Sequence, residues 1–167
     1  MLKKGHNGMQ VKLQNGWCAE IEGGYFRFCL QKKTKDIPFR FSFSAGRLCL
    51  PESNIEILVK KDDGNTNVHN LSTTSYINLT KQSAIMIDTL YWRSRREGDT
   101  IYMGGMNRRL RKLYNQKQIP ARLREQLPLL CDEKGIVWAP FIGARDGVKT
   151  DYGEWLVGVQ VPDLPRE

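Results

Sequence analysis

Short apolar segments separated by turn residues restrict this chain to a fold built mainly from β-strands. Phe39, Phe41 and Phe43 alternate with Arg40 and Ser42, which is the pattern of a strand with one buried face. No apolar run approaches the roughly 20 residues that a membrane-spanning helix needs. With 167 residues, the chain is long enough to bury a real core. The pattern therefore predicts a compact, mostly β fold.

Further strands are predicted along the chain, each bounded by glycine, proline or polar turn residues. They cover Val11–Leu13, Trp17–Ile21, Tyr25–Leu30, Leu48–Leu50, Ile55–Lys60, Ala84–Asp88, Leu129–Cys131, Ile136–Ala139 and Glu154–Val161. Residues 132–135 join two of these strands as a hairpin. Trp92 and Trp138 lie in or next to apolar segments, and we expect both in the core.

A first helix is predicted at residues 107–114. Met106, Leu110 and Leu113 recur at helical spacing, which predicts that all three face the core. The arginines and lysine between them would then lie on the remaining faces of the helix.

A second helix is predicted at residues 120–127. Pro120 suits the first helical turn, and Pro128 disfavours helical geometry at the residue before it. This helix would bury Leu123 and Leu127.

The positive charge of the chain is confined to one stretch, residues 93–124. This stretch contains ten basic residues and two acidic ones, a net +8, which equals the net charge of the whole chain. The remaining residues are therefore neutral in sum. A localised excess of this kind indicates a polyanionic partner that binds one region of the protein. The plainer interpretation, a solvated helix face, stays open.

Gly104 and Gly105 precede the first predicted helix. Glycines allow close approach of the backbone to a ligand, and free N–H groups at a helix start can receive a phosphate. Plain turn chemistry explains the same pair equally well. The chain contains neither a G-x-x-x-x-G-K-[ST] loop nor H-E-x-x-H or G-x-S-x-G, so the residues alone favour a binding module without catalytic or metal-binding residues.

From Trp92 onward the sequence resembles the C-terminal region of bacterial tRNA(Ile)-lysidine synthetase. That region has an R-x-R-x-x-G-D motif, a glycine-containing turn, a Lys/Arg-rich helix, a V-P-x-x-x-R-x-x-x-P segment and a hairpin with an apolar W-x-P-G-like run. The corresponding residues here are Arg93–Asp99, Met103–Met106, Arg108–Lys112, Ile119–Pro128 and Val137–Pro140. The order and spacing match over residues 92–143, whereas residues 11–89 match weakly.

The resemblance implies a fold and a partner. The expected fold is a β-sandwich or barrel-like arrangement with two short helices, similar to a domain associated with the phenylalanyl-tRNA synthetase β-subunit. The family's full enzyme uses ATP to join lysine to the wobble cytidine of an isoleucine tRNA with a CAU anticodon. Its ATP site carries an S-G-G-x-D-S loop, which this sequence does not contain. We therefore expect a tRNA-binding part that engages the acceptor-stem region and needs no cofactor, with ATP and magnesium belonging to the parent enzyme's catalytic domain.

The predicted domain boundaries are a β-rich segment at 1–89, the C-terminal domain at 90–162 and a tail at 163–167. Gly98 and Asp99 are expected to form a structural turn, with Asp99 orienting an arginine. The candidate tRNA-binding residues are Arg93, Arg95, Arg96, Gly104, Gly105, Arg108, Arg109, Arg111, Lys112, Lys117, Arg122 and Arg124.

Two other functions stay open. The chain could be an interaction or dimerisation module without RNA contact, or it could contribute to an active ligase. The first ten residues lack the apolar segment of a signal peptide, which predicts a cytoplasmic protein.

Overall fold

A computed structural model describes residues 10–14, 17–22, 25–30, 38–50, 53–61, 75–80, 87–148 and 154–161. The strands are β1 (Gln10–Lys12), β2 (Trp17–Glu22), β3 (Tyr25–Leu30), β4 (Arg40–Ser42), β5 (Gly46–Cys49), β6 (Glu56–Lys61), β7 (Ser75–Leu79), β8 (Tyr91–Arg93), β9 (Thr100–Met103), β10 (Met106–Arg109), β11 (Leu129–Asp132), β12 (Gly135–Ala139), β13 (Gly143–Ala144) and β14 (Trp155–Gln160). The helices are α1 (Leu110–Gln116) and α2 (Ala121–Gln126). All strand pairings among these residues are antiparallel. The predicted β-rich fold with two short helices is confirmed.

Two sheets surround the core. One has the order β13-β12-β11-β8-β4 and the other the order β5-β6-β14-β7. β4 pairs with β8, and β14 lies between β6 and β7, so strands from before and after residue 90 share both sheets. β11 and β12 form the predicted hairpin, but its turn has two residues and not the predicted four, because Asp132 and Gly135 pair with each other as strand residues. The predicted tail, residues 163–167, lies outside the described residues.

Aromatic side chains fill the interior and link the sheets. Trp92 and Trp138 are each 2% exposed, and their rings meet edge to face with centroids 6.2 Å apart, as expected for core residues. Phe43, just after β4, packs edge to face on Trp155 of β14 at 5.7 Å. Burying an aromatic side chain contributes on the order of 3 kcal/mol. The Trp92–Trp138 contact stabilises the first sheet, which contains both residues, whereas the Phe43–Trp155 contact joins the two sheets.

The prediction of a helix at 107–114 is wrong at its beginning. Residues 106–109 are strand β10, which pairs with β9, and α1 begins only at Leu110. Gly104 and Gly105 have φ values of 63° and 75°, as the two central residues of a type I′ hairpin turn require. Met106 is 57% exposed and does not face the core, while Leu110 is fully buried and Leu113 half-buried.

The second helix agrees closely with its prediction. α2 begins after Pro120 and ends before Leu127, whose φ and ψ of −63° and 128° are extended, as expected before a proline. Leu123 and Leu127 are both buried, as predicted. A short loop of Lys117–Pro120 connects the two helices and brings them next to each other.

The chain before residue 90 contains a further sheet, with the order β1-β2-β3. Residues 87–89 form a 3-10 turn, so the strand predicted at 84–88 is wrong there, and residues 84–86 lie outside the described part of the chain. None of the helices in the described residues is long and apolar enough to cross a membrane.

Candidate nucleic-acid interface

Arg93 and Asp99 form an ion pair that shapes the first part of the basic stretch. Nη1 and Nη2 of Arg93 donate to the two carboxylate oxygens of Asp99 at 2.8 and 2.7 Å, and both side chains are about one-tenth exposed. The hydrogen bond to Asp99 raises the pKa of Arg93 above its usual value. This guanidinium is therefore engaged inside the protein, and Arg93, a candidate from the sequence, is not available to contact a ligand.

Asp99 also closes the turn that follows β8. Its carboxylate accepts a hydrogen bond from the backbone N–H of Arg96 at 2.8 Å, and Gly98 has a φ of 84°. The backbone carbonyl of Asp99 accepts from the N–H of Leu110, the first residue of α1, at 2.9 Å. One aspartate thus connects β8, the arginine-containing turn and the start of α1.

The Gly104–Gly105 turn holds a carboxylate from its own chain. Asp146 accepts a hydrogen bond from the N–H of Gly105 at 2.9 Å. Hydrogen bonds from Gly105 and Gly104, followed by the charge of Arg108, hold the pKa of Asp146 below its usual value. Sequence reasoning expected these N–H groups at a helix start. They lie instead at a hairpin tip, where Asp146 takes the position that an external anion would occupy.

Arg108 folds back onto the same tip. Its Nε donates to the carbonyl of Met103 at 3.1 Å, and a Cβ added to Gly104 would lie 3.0 Å from its terminal nitrogen. Arg108 thereby supports the hairpin, while the next residue, Arg109, is exposed at the end of β10.

A second basic group lies where the two helices meet. Arg124 of α2 donates through Nε to the carbonyl of Ile119 and through Nη1 to the side chain of Asn115 on α1. Burial, and then the charges of Arg95 and Arg111, lower the pKa of Arg124. Arg95 in the turn and Arg111 on α1 are therefore the cations whose charge acts on Arg124 of α2.

The remaining candidates are solvent-exposed around these groups. The hairpin and the turn present Arg96 and Arg109, and the two helices with their connecting loop present Arg111, Lys112, Lys117 and Arg122. Most of the predicted basic residues therefore share one region of the fold, although they come from a turn, a hairpin and two helices and not from one helix face.

Sequence reasoning missed a second buried ion pair. Asp132 accepts from Arg145 at 2.8 and 2.6 Å, with both side chains largely buried. Burial alone would raise the pKa of Asp132, but the hydrogen bonds and charge of Arg145 outweigh it and lower the pKa. This pair fixes the β11–β12 hairpin to the segment after β13. In the described part of the chain, no cluster of three or more His, Cys, Asp or Glu side chains could hold a metal.

Comparisons with known proteins place this region in context. Residues 90–161 match the family model described as the TilS substrate C-terminal domain. The relatives include tRNA(Ile)-lysidine synthases from Thermotoga sp. (strain RQ2) and Thermotoga maritima, each 36% identical over 66 residues. That match covers 38% of this chain and 16% of each relative, so the chain corresponds to a minor part of those proteins.

A solved structure shares the fold. It is a crystal structure of a TilS C-terminal domain, with a TM-score of 0.57 and 19% sequence identity. The superposition covers 76% of this chain and 99% of that one. The shared fold therefore extends beyond residues 90–161 into the strands that precede them.

Proposed function

Because residues 90–161 match the model of the TilS substrate C-terminal domain and resemble tRNA(Ile)-lysidine synthases, we propose that this chain is a tRNA-binding part of such an enzyme. The observation that carries the proposal is the charge distribution. The net +8 of the chain equals that of residues 93–124, which lie in this domain, and most of their basic side chains are exposed.

The physical match is with an RNA backbone. The major groove of an RNA duplex is deep and narrow, so proteins mostly recognise its phosphates and 2′-hydroxyl groups. Flexible arginine and lysine side chains from different elements can follow such a curved surface. Arg109, Arg111 and Lys112 lie next to each other in the chain, at the junction of β10 and α1, and all three are exposed.

The finer parts of the proposal rest on the resemblance to tRNA(Ile)-lysidine synthetases. The partner is an isoleucine tRNA with a CAU anticodon, and this part engages its acceptor-stem region. Formation of lysidine from ATP, lysine and the wobble cytidine takes place in the cytoplasm. ATP and magnesium belong to the parent enzyme's catalytic domain, and we expect this chain alone to form no lysidine.

The test is the salt dependence of tRNA binding by the chain and by a triple variant, Arg109→Gln/Arg111→Gln/Lys112→Gln. Each phosphate contact releases counterions, so four to six contacts give a log–log slope of about −3 to −5. The variant should bind tRNA more weakly and with a slope that is shallower by about 2 to 3. Arg108 is left in place because it supports the hairpin tip.

A matched control removes the same charge elsewhere. Lys32→Gln/Lys33→Gln/Lys35→Gln lies outside residues 90–161 and should leave the slope nearly unchanged. Equal weakening in both triple variants would show that only net charge matters, and it would contradict a localised tRNA surface.

A second candidate function is protein docking or homodimerisation through the sheet β1-β2-β3. Trp17 and Phe28 are 45% and 64% exposed, and Val11 is half-exposed as well. Val11 and Phe28 both pair with Ala19 across the strands, so they lie on the same face. Sedimentation without RNA tests it: a Phe28→Ser variant should reduce self-association if this face is the contact.

A further inference from the structure

An exposed aromatic side chain lies in the middle of the basic stretch. Residues 93–124 contain two aromatic residues, Tyr102 and Tyr114. Tyr114 is fully buried, whereas 43% of Tyr102 is exposed. Tyr102 lies in β9, where Ile101 is buried and Thr100 is exposed. Because successive side chains of a strand point to opposite faces, the burial of Ile101 holds Tyr102 on the solvent side.

The register of the β9–β10 hairpin places polar residues around Tyr102. Asn107 pairs directly with Tyr102, and Arg109 pairs with Thr100, so these four residues lie on one face. All four are exposed, and we call this face the outer face of the hairpin. Directly opposite residues in such a pair have Cβ atoms about 4.5–5.5 Å apart, and diagonal neighbours lie about 7–8 Å apart. Asn107 is therefore next to Tyr102, and Arg109 is its diagonal neighbour.

The strand that contains Tyr102 is fixed to the rest of the fold. Ile101 is 1% exposed, and Met103 packs against the core. The backbone N–H of Asp146 donates to the carbonyl of Tyr102 at 2.9 Å. Among the described residues, no hydrogen bond or ion pair engages the side chains of Tyr102, Asn107 or Arg109. The outer face is therefore held in place while its side chains are free to contact a ligand.

The outer face is continuous with exposed positive charge. Arg109 ends β10 and directly precedes α1, in which Arg111 and Lys112 are exposed. Proteins bind unpaired nucleotides by stacking bases on aromatic rings and by placing cations against the phosphates. In a duplex, neighbouring base pairs cover the faces of each base, so a protein ring stacks on a base that is unpaired. Ring, amide and cations together fit a single-stranded segment of a nucleic acid.

We propose that the outer face of the hairpin is a stacking platform for one unpaired nucleotide of the bound tRNA. The base stacks on the ring of Tyr102, and the phosphate lies against Arg109. The Asn107 amide, which has both donors and an acceptor, hydrogen-bonds to the edge of the base. The inference rests on the proposed function, and it adds recognition of an unpaired base to a surface that otherwise contacts the RNA backbone.

Two substitutions at Tyr102 separate the ring from the hydroxyl. Tyr102→Thr removes the ring but keeps a residue that favours strands, and Tyr102→Phe keeps the ring. Tyr102→Thr should bind tRNA about fivefold to a hundredfold more weakly than the parent, and Tyr102→Phe should stay within about twofold of it. The salt slope should be unchanged in both variants, because neither removes a cation. Urea unfolding of each variant verifies that it is folded.

The matched control is the same change at another exposed tyrosine. Tyr76 is 53% exposed on β7, which lies at the edge of the other sheet. Tyr76→Thr should bind tRNA like the parent. Equal weakening by Tyr76→Thr and Tyr102→Thr would overturn the platform.

A long, fully paired RNA duplex tests whether the base must be unpaired. Few of its bases have an open face, so Tyr102→Thr should bind this duplex as tightly as the parent does. Equal weakening toward tRNA and toward the duplex would overturn the recognition of an unpaired base.

The remaining outcomes separate the platform from the proposed function. Parent-like tRNA binding by Tyr102→Thr, with a steep salt slope in both proteins, would overturn the platform and leave the proposed function intact. If the parent binds no tRNA, the proposed function fails, and a short single-stranded RNA decides on the platform. Binding of that RNA that depends on Tyr102 supports the platform, and no binding overturns it. Weaker self-association of Tyr102→Thr in sedimentation without RNA, with unchanged tRNA binding, would assign the outer face to a protein contact.

Discussion

Arg93 and Asp99 are six residues apart in the chain and face each other through two parallel N–H···O bonds of 2.8 and 2.7 Å. Their ion pair neutralises one positive charge of the basic stretch. Asp99 also holds the segments that contain several of the other basic residues. The Asp99 carboxylate accepts from the N–H of Arg96 and fixes the turn that contains Arg95 and Arg96. The Asp99 carbonyl accepts from the N–H of Leu110 and fixes the start of α1, the helix that contains Arg111. The exposed cations of this domain thus depend on a buried, neutralised pair.

Removing one partner of the Arg93–Asp99 pair should lower the free energy of unfolding. Asp99→Ala leaves the Arg93 guanidinium buried without its acceptor, and we expect a loss of about 3 kcal/mol in the free energy of unfolding. Adding Arg93→Met to it should cost less than the sum of the two single changes. Urea unfolding of the four proteins measures this coupling. Additive effects, within about 0.5 kcal/mol, would contradict a direct interaction.

Met106 and Leu110, which the sequence placed on one face of a helix, should respond differently to substitution, because the structure places Met106 in the exposed hairpin before α1. Met106 is 57% exposed, so Met106→Asp should change the free energy of unfolding by less than about 0.5 kcal/mol. Leu110 is fully buried, so Leu110→Ala should cost about 2–5 kcal/mol, and Leu110→Asp should unfold the domain. Similar losses at both positions would support the helix that sequence spacing predicted, and not the hairpin.

This contrast shows which parts of the structure local sequence determines. Alternation predicted the strand at Phe39–Phe43, and Pro120 and Pro128 bounded α2, because these signals act within a few residues. Met106 lies in a strand, yet its spacing from Leu110 and Leu113 is also that of a helix. The four residues of β10 are all exposed, so the sequence shows no alternation that would indicate a strand. Partners that are distant in sequence leave no local pattern.

The candidate site also has features that the local sequence predicts and features that it does not. Its charge excess can be counted in the sequence, and the pairing of Asp99 with an arginine was expected from the motif. The contact of Gly105 with Asp146 spans 41 residues, and the ion pair of Asp132 with Arg145 spans 13. The hydrogen bond of Arg124 with Asn115 depends on how the two helices pack. No spacing rule predicts these contacts.

The pair of Asp132 and Arg145 should make stability depend on pH in the acid range. The folded-state pKa of Asp132 lies below its usual value of 3.8, so between the two values the unfolded chain binds more protons. Stability therefore rises with pH there; the contribution is present above about pH 4 and is lost as the pH falls through the folded-state pKa. Urea unfolding between about pH 2.5 and 5 should show a smaller pH dependence for Asp132→Asn than for the parent.

The control for this experiment is Glu133→Gln, at the exposed position next to Asp132. It removes a carboxylate from the same turn without touching Arg145, and it should retain the pH dependence of the parent. A parent-like acid profile in Asp132→Asn would show that the pair does not titrate as the structure indicates.

Asp146 should oppose nucleic-acid binding at the tip of the β9–β10 hairpin. Its side chain is exposed, and its carboxylate accepts hydrogen bonds from the N–H groups of the Gly104–Gly105 turn, where Arg108 also lies. Asp146→Asn removes the negative charge and leaves the side chain a similar shape. If tRNA approaches this tip, the variant should bind it about twofold to fivefold more tightly at low salt, an effect typical of one exposed charge, and the gain should disappear as salt screens it.

Asp88→Asn removes the same charge at an exposed position on the 3-10 turn and serves as the matched control. Equal gains from both variants would reflect net charge alone, and no gain from Asp146→Asn would exclude the hairpin tip from the tRNA surface, leaving α1, α2 and the turn at Arg96 as the region that binds.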